Sequence, residues 1–179
     1  MDRARGIVPS MVTTAETRMT IRDAASSDAA AICRIYNQGI DDRVATLETD
    51  VRTPDERREW MAARGPRHPV LVGDVDGVVT GWASLNRFNP RPVYDHVADL
   101  SVYVERAWRG RGVGRALLAA LVERARAIGY HKLVLAAFPD NAAGMALYAR
   151  LGFTRVGVYR EQGWLDDRWV DVVVMERLL

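Results

Sequence analysis

A stretch of alternating glycines and arginines, RGRGVGR at 109–115, has the residue types and spacing most suggestive of chemistry. Its glycines can adopt φ values that other residues avoid, and they leave consecutive backbone N–H groups uncovered by side chains. Such groups at the start of a helix bind anions, because the helix dipole is positive there. The arginines add charged donors that suit phosphate. We therefore expect a phosphate or pyrophosphate site, against the alternative of a basic surface turn, formed by Arg109, Gly110, Arg111, Gly112, Val113, Gly114 and Arg115.

Two common phosphate-binding motifs do not fit this stretch. The dinucleotide fingerprint G-x-G-x-x-G requires glycine at position 115, where the chain has arginine. A P-loop requires glycine and lysine followed by serine or threonine before its helix, and this tripeptide does not occur in the sequence. We therefore expect the phosphate ligand to bind in a way that neither the dinucleotide fingerprint nor the P-loop describes.

The elements around this loop must position it. It is expected to join a strand ending near Val104 to an amphipathic helix over 113–128, which Gly129 follows. Asp76-Gly77 favours a tight hairpin turn. The whole pattern predicts an α/β (α+β) fold, with a mixed, mostly antiparallel sheet of six or seven strands and about four helices. The other predicted elements are strands at 19–24, 132–138, 153–161 and 168–179, and helices at 26–40, 53–64 and 140–152.

The composition is that of an ordinary globular protein. The 179 residues are 49% hydrophobic and carry a net charge of +2, which does not indicate nucleic acid or a membrane as partner. We expect a flexible tail or misassigned start at 1–18 and one domain at 19–179. The lone Cys33 is expected to be a buried structural thiol, and the three histidines lack metal-ligand spacing, so no metal is predicted. Because no signal peptide or membrane span is visible, the cytoplasm is the expected compartment.

Two segments resemble a known superfamily. The pattern R-x-x-G-x-G at 109–114, preceded by LSVYVE and followed by RALL, resembles the acetyl-coenzyme A signature of the GNAT N-acetyltransferases. The segment NAAGMALYARLGF at 141–153 resembles their second coenzyme A segment. Within the superfamily, RPVYDHVADLSVYVE resembles the phosphinothricin and methionine sulfoximine acetyltransferases. The resemblance covers 19–179 and implies the GNAT fold, with acetyl-CoA as cosubstrate.

The resemblance also implies roles in catalysis and cofactor binding. Asp99 stands where the similar enzymes carry a glutamate and is expected to act as the base, directly or through a water; the alternative is a local cap. Tyr148 is expected to give a proton to the departing thiolate, or only to pack. Asn141 would cap its helix and bind the pantetheine amide, or only cap its helix. The strand at Val102, Tyr103 and Val104 would pair with the pantetheine and stabilise the oxyanion.

The acceptor is expected to be a small amino acid or an analogue such as phosphinothricin or methionine sulfoximine. Arg91 and Tyr94 match the R-x-A-Y run of the similar enzymes, and Arg87 is a second candidate to bind an acidic group. Trp164 is expected to wall the pocket, while Trp169 is expected in the core. The similar enzymes are commonly homodimers. Alternatives are an N-acetyltransferase of proteins or peptides and a non-catalytic acyl-coenzyme A module.

Overall fold

A seven-stranded sheet organises the chain. The computed structural model describes residues 19–179, so the tail predicted at 1–18 lies outside the described residues. The strands stand in the order β1-β2-β3-β4-β5-β7-β6, and every neighbouring pair is antiparallel except β4 and β5. The strands are β1 Met19–Asp23, β2 Val70–Val75, β3 Val78–Arg87, β4 Val97–Val104, β5 Lys132–Ala137, β6 Thr154–Leu165 and β7 Arg168–Leu178.

Four α-helices cover the sheet, which confirms the predicted mixed α/β fold. They are α1 Ala29–Asp41, α2 Pro54–Ala62, α3 Val113–Ile128 and α4 Ala142–Arg150. The α3 helix packs its apolar residues, among them Leu117 and Leu121, on the face of the sheet that carries Ala83 and Leu85. The α1 helix packs on the opposite face, against Trp82, because successive side chains of a strand point to opposite faces.

Local sequence signals explain several element ends. At α2, the Thr53 hydroxyl accepts from the Glu56 N–H, while the Glu56 carboxylate accepts from the Thr53 N–H, which completes a capping box. The predicted turn between β2 and β3 has Asp76 at φ 51° and Gly77 at φ 83°, as a type I′ turn requires. Gly129 ends α3 with φ 91°.

The strands β4 and β5 pair over only part of their length. They pair in parallel only from Val97 to Asp99 on β4, and the rest of β4 has no strand on that side among residues 19–179. The Glu105 N–H donates to the Thr80 carbonyl (3.0 Å), so the alternate residues Val102 and Val104 direct their amide groups away from β3. An open backbone edge therefore runs from the end of this pairing towards the glycine-rich loop.

Candidate active site

The glycine-rich loop has the backbone geometry that the sequence predicts at two of its three glycines. Gly110 and Gly112 have φ of 74° and 85°, a region that side chains disfavour. Gly114 lies in the first turn of α3, inside the helix predicted over 113–128, and is not among the glycines with positive φ. A Cβ at Gly114 would lie 3.3 Å from Leu147 and 3.4 Å from Val104, so glycine allows α3, α4 and β4 to meet there.

Six consecutive backbone N–H groups, from Gly110 to Arg115, have no hydrogen-bond acceptor among residues 19–179. The first bond of α3 joins the Ala116 N–H to the Gly112 carbonyl at 3.0 Å. These free donors stand at the positive end of a 16-residue helix. The arrangement can therefore bind an anion with several oxygens, such as a pyrophosphate.

The three loop arginines have different surroundings. Arg109 Nη1 lies 2.7 Å from Asp42 Oδ2, and its Nε donates to the Val104 carbonyl at 3.2 Å. Arg109 therefore ties the loop to the end of α1 and to β4. Arg111 lies over the Trp108 ring, 5.2 Å from its centroid, and both Arg111 and Arg115 are exposed. These two side chains are free to approach an anion in the loop.

Asn141 is the N-cap of α4. Its Oδ1 accepts from the Gly144 N–H at 2.9 Å, which confirms the predicted cap. The cap uses the side-chain oxygen and leaves the Nδ2 group for another acceptor.

Asp99 lies on β4 at the last residue that pairs with β5. Burial raises the pKa of its carboxyl to about 6, although hydrogen bonds from Asn86 and from the Leu100 amide oppose the rise. A carboxylate with this pKa is ionised at neutral pH and is a stronger base than an exposed aspartate. It can therefore accept a proton from a bound amine.

A polar cluster holds the Asp99 carboxylate in place, and its centre is Asn86 on β3. Asn86 Nδ2 lies 3.3 Å from Asp99 Oδ2 and 3.1 Å from the Ser101 hydroxyl oxygen. Asn86 Oδ1 accepts from the Ser84 hydroxyl and from Arg64 Nη2, both at 3.0 Å. Because both sides of the amide are engaged, its NH2 group is directed at the carboxylate. No residue of this cluster except Asp99 was predicted, since only strand register brings them together.

Tyr148 is a buried residue of α4, with 8% of its surface exposed. Its ring packs edge-on against Phe153, with the centroids 6.2 Å apart. Burial raises the pKa of its hydroxyl, and the negative charge of Asp99 raises it further. The phenol therefore stays protonated at neutral pH.

A cavity of about 470 Å³ opens on the α1 and α2 side of the sheet. Tyr103 contributes its side chain to this cavity and stacks on Trp82, with the ring centroids 4.8 Å apart. Among the predicted strand residues Val102, Tyr103 and Val104, Tyr103 is therefore the one whose side chain faces the cavity. The wall also includes Tyr36, Arg57, Trp60, Trp82, Asn86 and Ser101, of which none was predicted from the sequence.

The predicted acceptor residues lie at the surface around β3 and β6. Arg87 and Arg91 are exposed, and Arg87 Nη2 donates to the Pro90 carbonyl at 2.7 Å. Tyr94 packs against Phe88, with the ring centroids 5.6 Å apart. Trp164 is 56% exposed and packs on Trp169. The expected core position of Trp169 is wrong, because 58% of its surface is exposed on the outer β6–β7 hairpin.

Two kinds of feature are absent from residues 19–179. In this part of the chain, no three His, Cys, Asp or Glu side chains are grouped so that they could hold a metal ion. No helix in the same range is both long and apolar enough to cross a membrane. Cys33 is buried, as predicted.

Comparison with known proteins gives consistent matches. Residues 33–153 match the model of the acetyltransferase (GNAT) family. The chain is 37% identical over 159 residues to an L-methionine sulfoximine/L-methionine sulfone acetyltransferase of Salmonella typhimurium, covering 88% of this chain and 93% of the relative. It is 31% identical over 163 residues to a phosphinothricin N-acetyltransferase of Streptomyces coelicolor, covering 89% and 95%.

Solved structures agree with these matches. An acetyltransferase of Salmonella typhimurium, solved with its cofactor acetyl-CoA, superposes with a TM-score of 0.88 at 36% identity and covers 91% of this chain and 95% of its own. A GNAT superfamily phosphinothricin acetyltransferase of Sinorhizobium meliloti, in complex with acetyl-CoA, gives a TM-score of 0.84 at 31% identity and covers 90% and 88%.

Proposed function

The chain belongs to the acetyltransferase (GNAT) family, and on that premise we propose that it acetylates the primary amine of a small amino acid or analogue. The acetyl donor is acetyl-CoA, and the amine attacks directly while both substrates are bound. Phosphinothricin and methionine sulfoximine, after which relatives are named, are the model acceptors. One observation carries the proposal: β4 bears the carboxylate of Asp99 and an open edge that leads to six free amides.

The residues present fit coenzyme A. The free N–H groups of Gly110 to Arg115 would bind the pyrophosphate, with Arg111 and Arg115 adding charge. The open edge offers the N–H groups of Val102 and Val104 and the C=O group of Val102 to the pantetheine amides and to the acetyl oxygen, while the Val104 carbonyl accepts from Arg109 Nε. Asn141 Nδ2 is a further donor. When bound, acetyl-CoA supplies the thioester that carries the acetyl group.

Asp99 would take the proton of the acceptor ammonium. Its pKa of about 6 keeps it ionised at neutral pH, while its position at the end of the β4–β5 pairing sets it beside the open edge. Asn86 would orient the carboxylate, because its own amide is fixed by Arg64 and Ser84. A base of this kind contributes on the order of 10²–10⁴-fold to the rate.

Tyr148 would return a proton to the departing thiolate. Its raised pKa keeps the hydroxyl protonated, as a proton donor requires. The contact of Leu147 with Gly114 brings α4 to the loop that would hold coenzyme A.

The proposal also covers the compartment, the oligomeric state, the domain and the partners of the enzyme. The enzyme would work in the cytoplasm as a homodimer, with 19–179 as its single domain and with no metal, nucleic acid or membrane as partner. Four exposed apolar side chains on β6 and β7 support a homodimer interface. They are Val156, Tyr159, Trp164 and Trp169, each between 56% and 58% exposed.

The test is release of free coenzyme A thiol from acetyl-CoA in the presence of different amines. The panel contains phosphinothricin, methionine sulfoximine, methionine sulfone and a short peptide with a free N-terminal alanine. We expect turnover with the amino acids and none with the peptide, because the cavity of about 470 Å³ suits a small acceptor. Acetylation of the peptide alone, or of no amine, would contradict the proposal.

A further inference from the structure

Arg57 is a buried cation without a polar partner. Its surface is 8% exposed, and it lines the cavity beside the Asp99 cluster. Its Nε atom is buried and has no hydrogen-bond partner, and its guanidinium forms no salt bridge or side-chain hydrogen bond within residues 19–179. Burying a charge is costly unless it is paired, so this site is complete only when an anion enters the cavity.

Aromatic rings hold the Arg57 guanidinium in position. Its Cζ lies 4.3 Å from the Tyr36 ring centroid, 4.7 Å from that of Trp60 and 5.8 Å from that of Trp82. Rings stabilise a cation through their electron-rich faces but accept none of its strong hydrogen bonds. The donors of the guanidinium are therefore fixed in advance and available to a ligand.

The other charged side chains of the cavity already have hydrogen-bond partners. Glu48 Oε2 lies 2.6 Å from Arg52 Nη2, so these two side chains neutralise each other. Glu56 Oε2 accepts from the Thr53 N–H at 2.6 Å and serves the N-terminus of α2. Of the two arginines in the cavity wall, Arg57 is therefore the one that no carboxylate of residues 19–179 contacts.

The position of Arg57 along the sheet suggests which group it binds. Asn86 pairs with Asp99 across β3 and β4, and Trp82 pairs with Tyr103. These two pairs are four residues apart, about 13 Å along a strand. An amino acid of glutamate length spans about 6 Å from its nitrogen to its terminal oxygens at ordinary bond lengths. With a hydrogen bond of about 3 Å at each end, such an amino acid would reach from Asp99 to Arg57. Its α-carboxylate is too close to the amine to reach Arg57 in the same way.

We infer that Arg57 binds an oxyanion at the far end of the acceptor side chain. The preferred acceptor is then an α-amino acid whose side chain ends in a carboxylate or phosphinate, rather than in a neutral sulfone. This inference rests on the proposed function, because it assumes that the amine is delivered to Asp99. It assigns Arg57 as the residue that selects among the acceptors.

The experiment compares kcat/KM for phosphinothricin, whose side chain is anionic, with kcat/KM for methionine sulfone, whose side chain is neutral. The wild-type protein should favour phosphinothricin. Arg57→Met should lower the ratio of the two values by about 30-fold, the size expected for a charge-assisted bidentate contact. Arg57→Lys, which keeps the charge but not the fork, should restore part of the ratio.

Arg58→Met is the matched control, because Arg58 is the next residue of α2 but its side chain is 52% exposed and pairs with Asp55. It should leave the ratio unchanged. Thermal unfolding and the Kd for acetyl-CoA show whether Arg57→Met is folded. The wild-type protein gives a further test that needs no variant: glutarate should compete with phosphinothricin, whereas the neutral diamide of the same length should not.

Three outcomes would overturn the inference while leaving the proposed function intact. These are a wild-type preference for the sulfone, an unchanged ratio in folded Arg57→Met, and equal competition by glutarate and its diamide. If the wild-type protein acetylates neither amino acid, the proposed function itself fails.

Discussion

The glycine-rich loop and the cavity beside Asp99 are built in different ways. The loop offers backbone N–H groups from six consecutive residues, 110–115. The cavity is lined by side chains that come from α1, α2, the loop between these two helices, β3 and β4. A backbone site depends on φ angles at a few glycines, whereas a side-chain site depends on the packing of distant segments. The two should therefore respond to different substitutions.

Among the variants at Gly112, Tyr148 and Asn86, the largest effect is expected at Gly112 in the backbone site. Gly112→Val forces a β-branched residue to a φ of 85°, which the free loop adopts only with glycine. Because this strain is about 1–2 kcal/mol, the Kd for acetyl-CoA should rise by about 5- to 30-fold. Isothermal titration calorimetry measures the change.

Gly77→Val controls for strain alone, because Gly77 has a φ of 83° in the distant β2–β3 turn. This variant should lose comparable stability but bind acetyl-CoA as the wild-type protein does. An equal loss of affinity in the two variants would mean that the loop amides do not bind coenzyme A.

A smaller effect is expected at Tyr148. Tyr148→Phe removes the hydroxyl but keeps the ring that packs on Phe153. If the phenol donates a proton to the thiolate, kcat should fall by about tenfold while the melting temperature stays close to wild type. Steady-state kinetics at saturating acetyl-CoA measure kcat. An unchanged kcat would leave Tyr148 with a packing role.

The smallest effect is expected at Asn86. Its hydrogen bond opposes the rise in the Asp99 pKa, so Asn86→Ala should move that pKa above 6. At pH 6 a smaller fraction of Asp99 is then ionised, and kcat/KM should fall by about threefold, as for the loss of one hydrogen bond. The pH profile measures this, and the deficit should shrink as the pH rises.

Ser84→Ala serves as the control, because Ser84 contacts the other side of the Asn86 amide. It should shift the pH profile less than Asn86→Ala. Identical pH profiles for wild type and Asn86→Ala would show that Asn86 does not affect the pKa of Asp99.

The difference between a site made by neighbouring residues and a site made by distant segments also explains what could be predicted from the sequence. The bounds of α3 and the Asp76-Gly77 turn depend on neighbouring residues, and both predictions are confirmed. The likeness of the loop to a family signature also lies in one short stretch, residues 109–114.

Contacts between distant segments could not be predicted in this way. The pairing of Arg109 with Asp42 and the place of Arg57 among aromatic rings require the packed fold. Trp169 shows a related limit, because alternation in β7 marks two faces without telling which one is covered. The only sequence signal for the position of Arg57 is its spacing of three residues from Trp60, which places the two on one side of α2.

The most direct test of the account is the pH dependence of kcat/KM for the acceptor, measured for wild type and Asp99→Asn at saturating acetyl-CoA. Asp99 must be ionised to take the proton, and its raised pKa predicts that wild-type activity rises with pH through about 6. Asp99→Asn should remove this rise and lower kcat/KM by about 10²–10⁴-fold, with an unchanged Kd for acetyl-CoA. A variant that keeps both the wild-type rate and the rise near pH 6 would contradict the central role of Asp99.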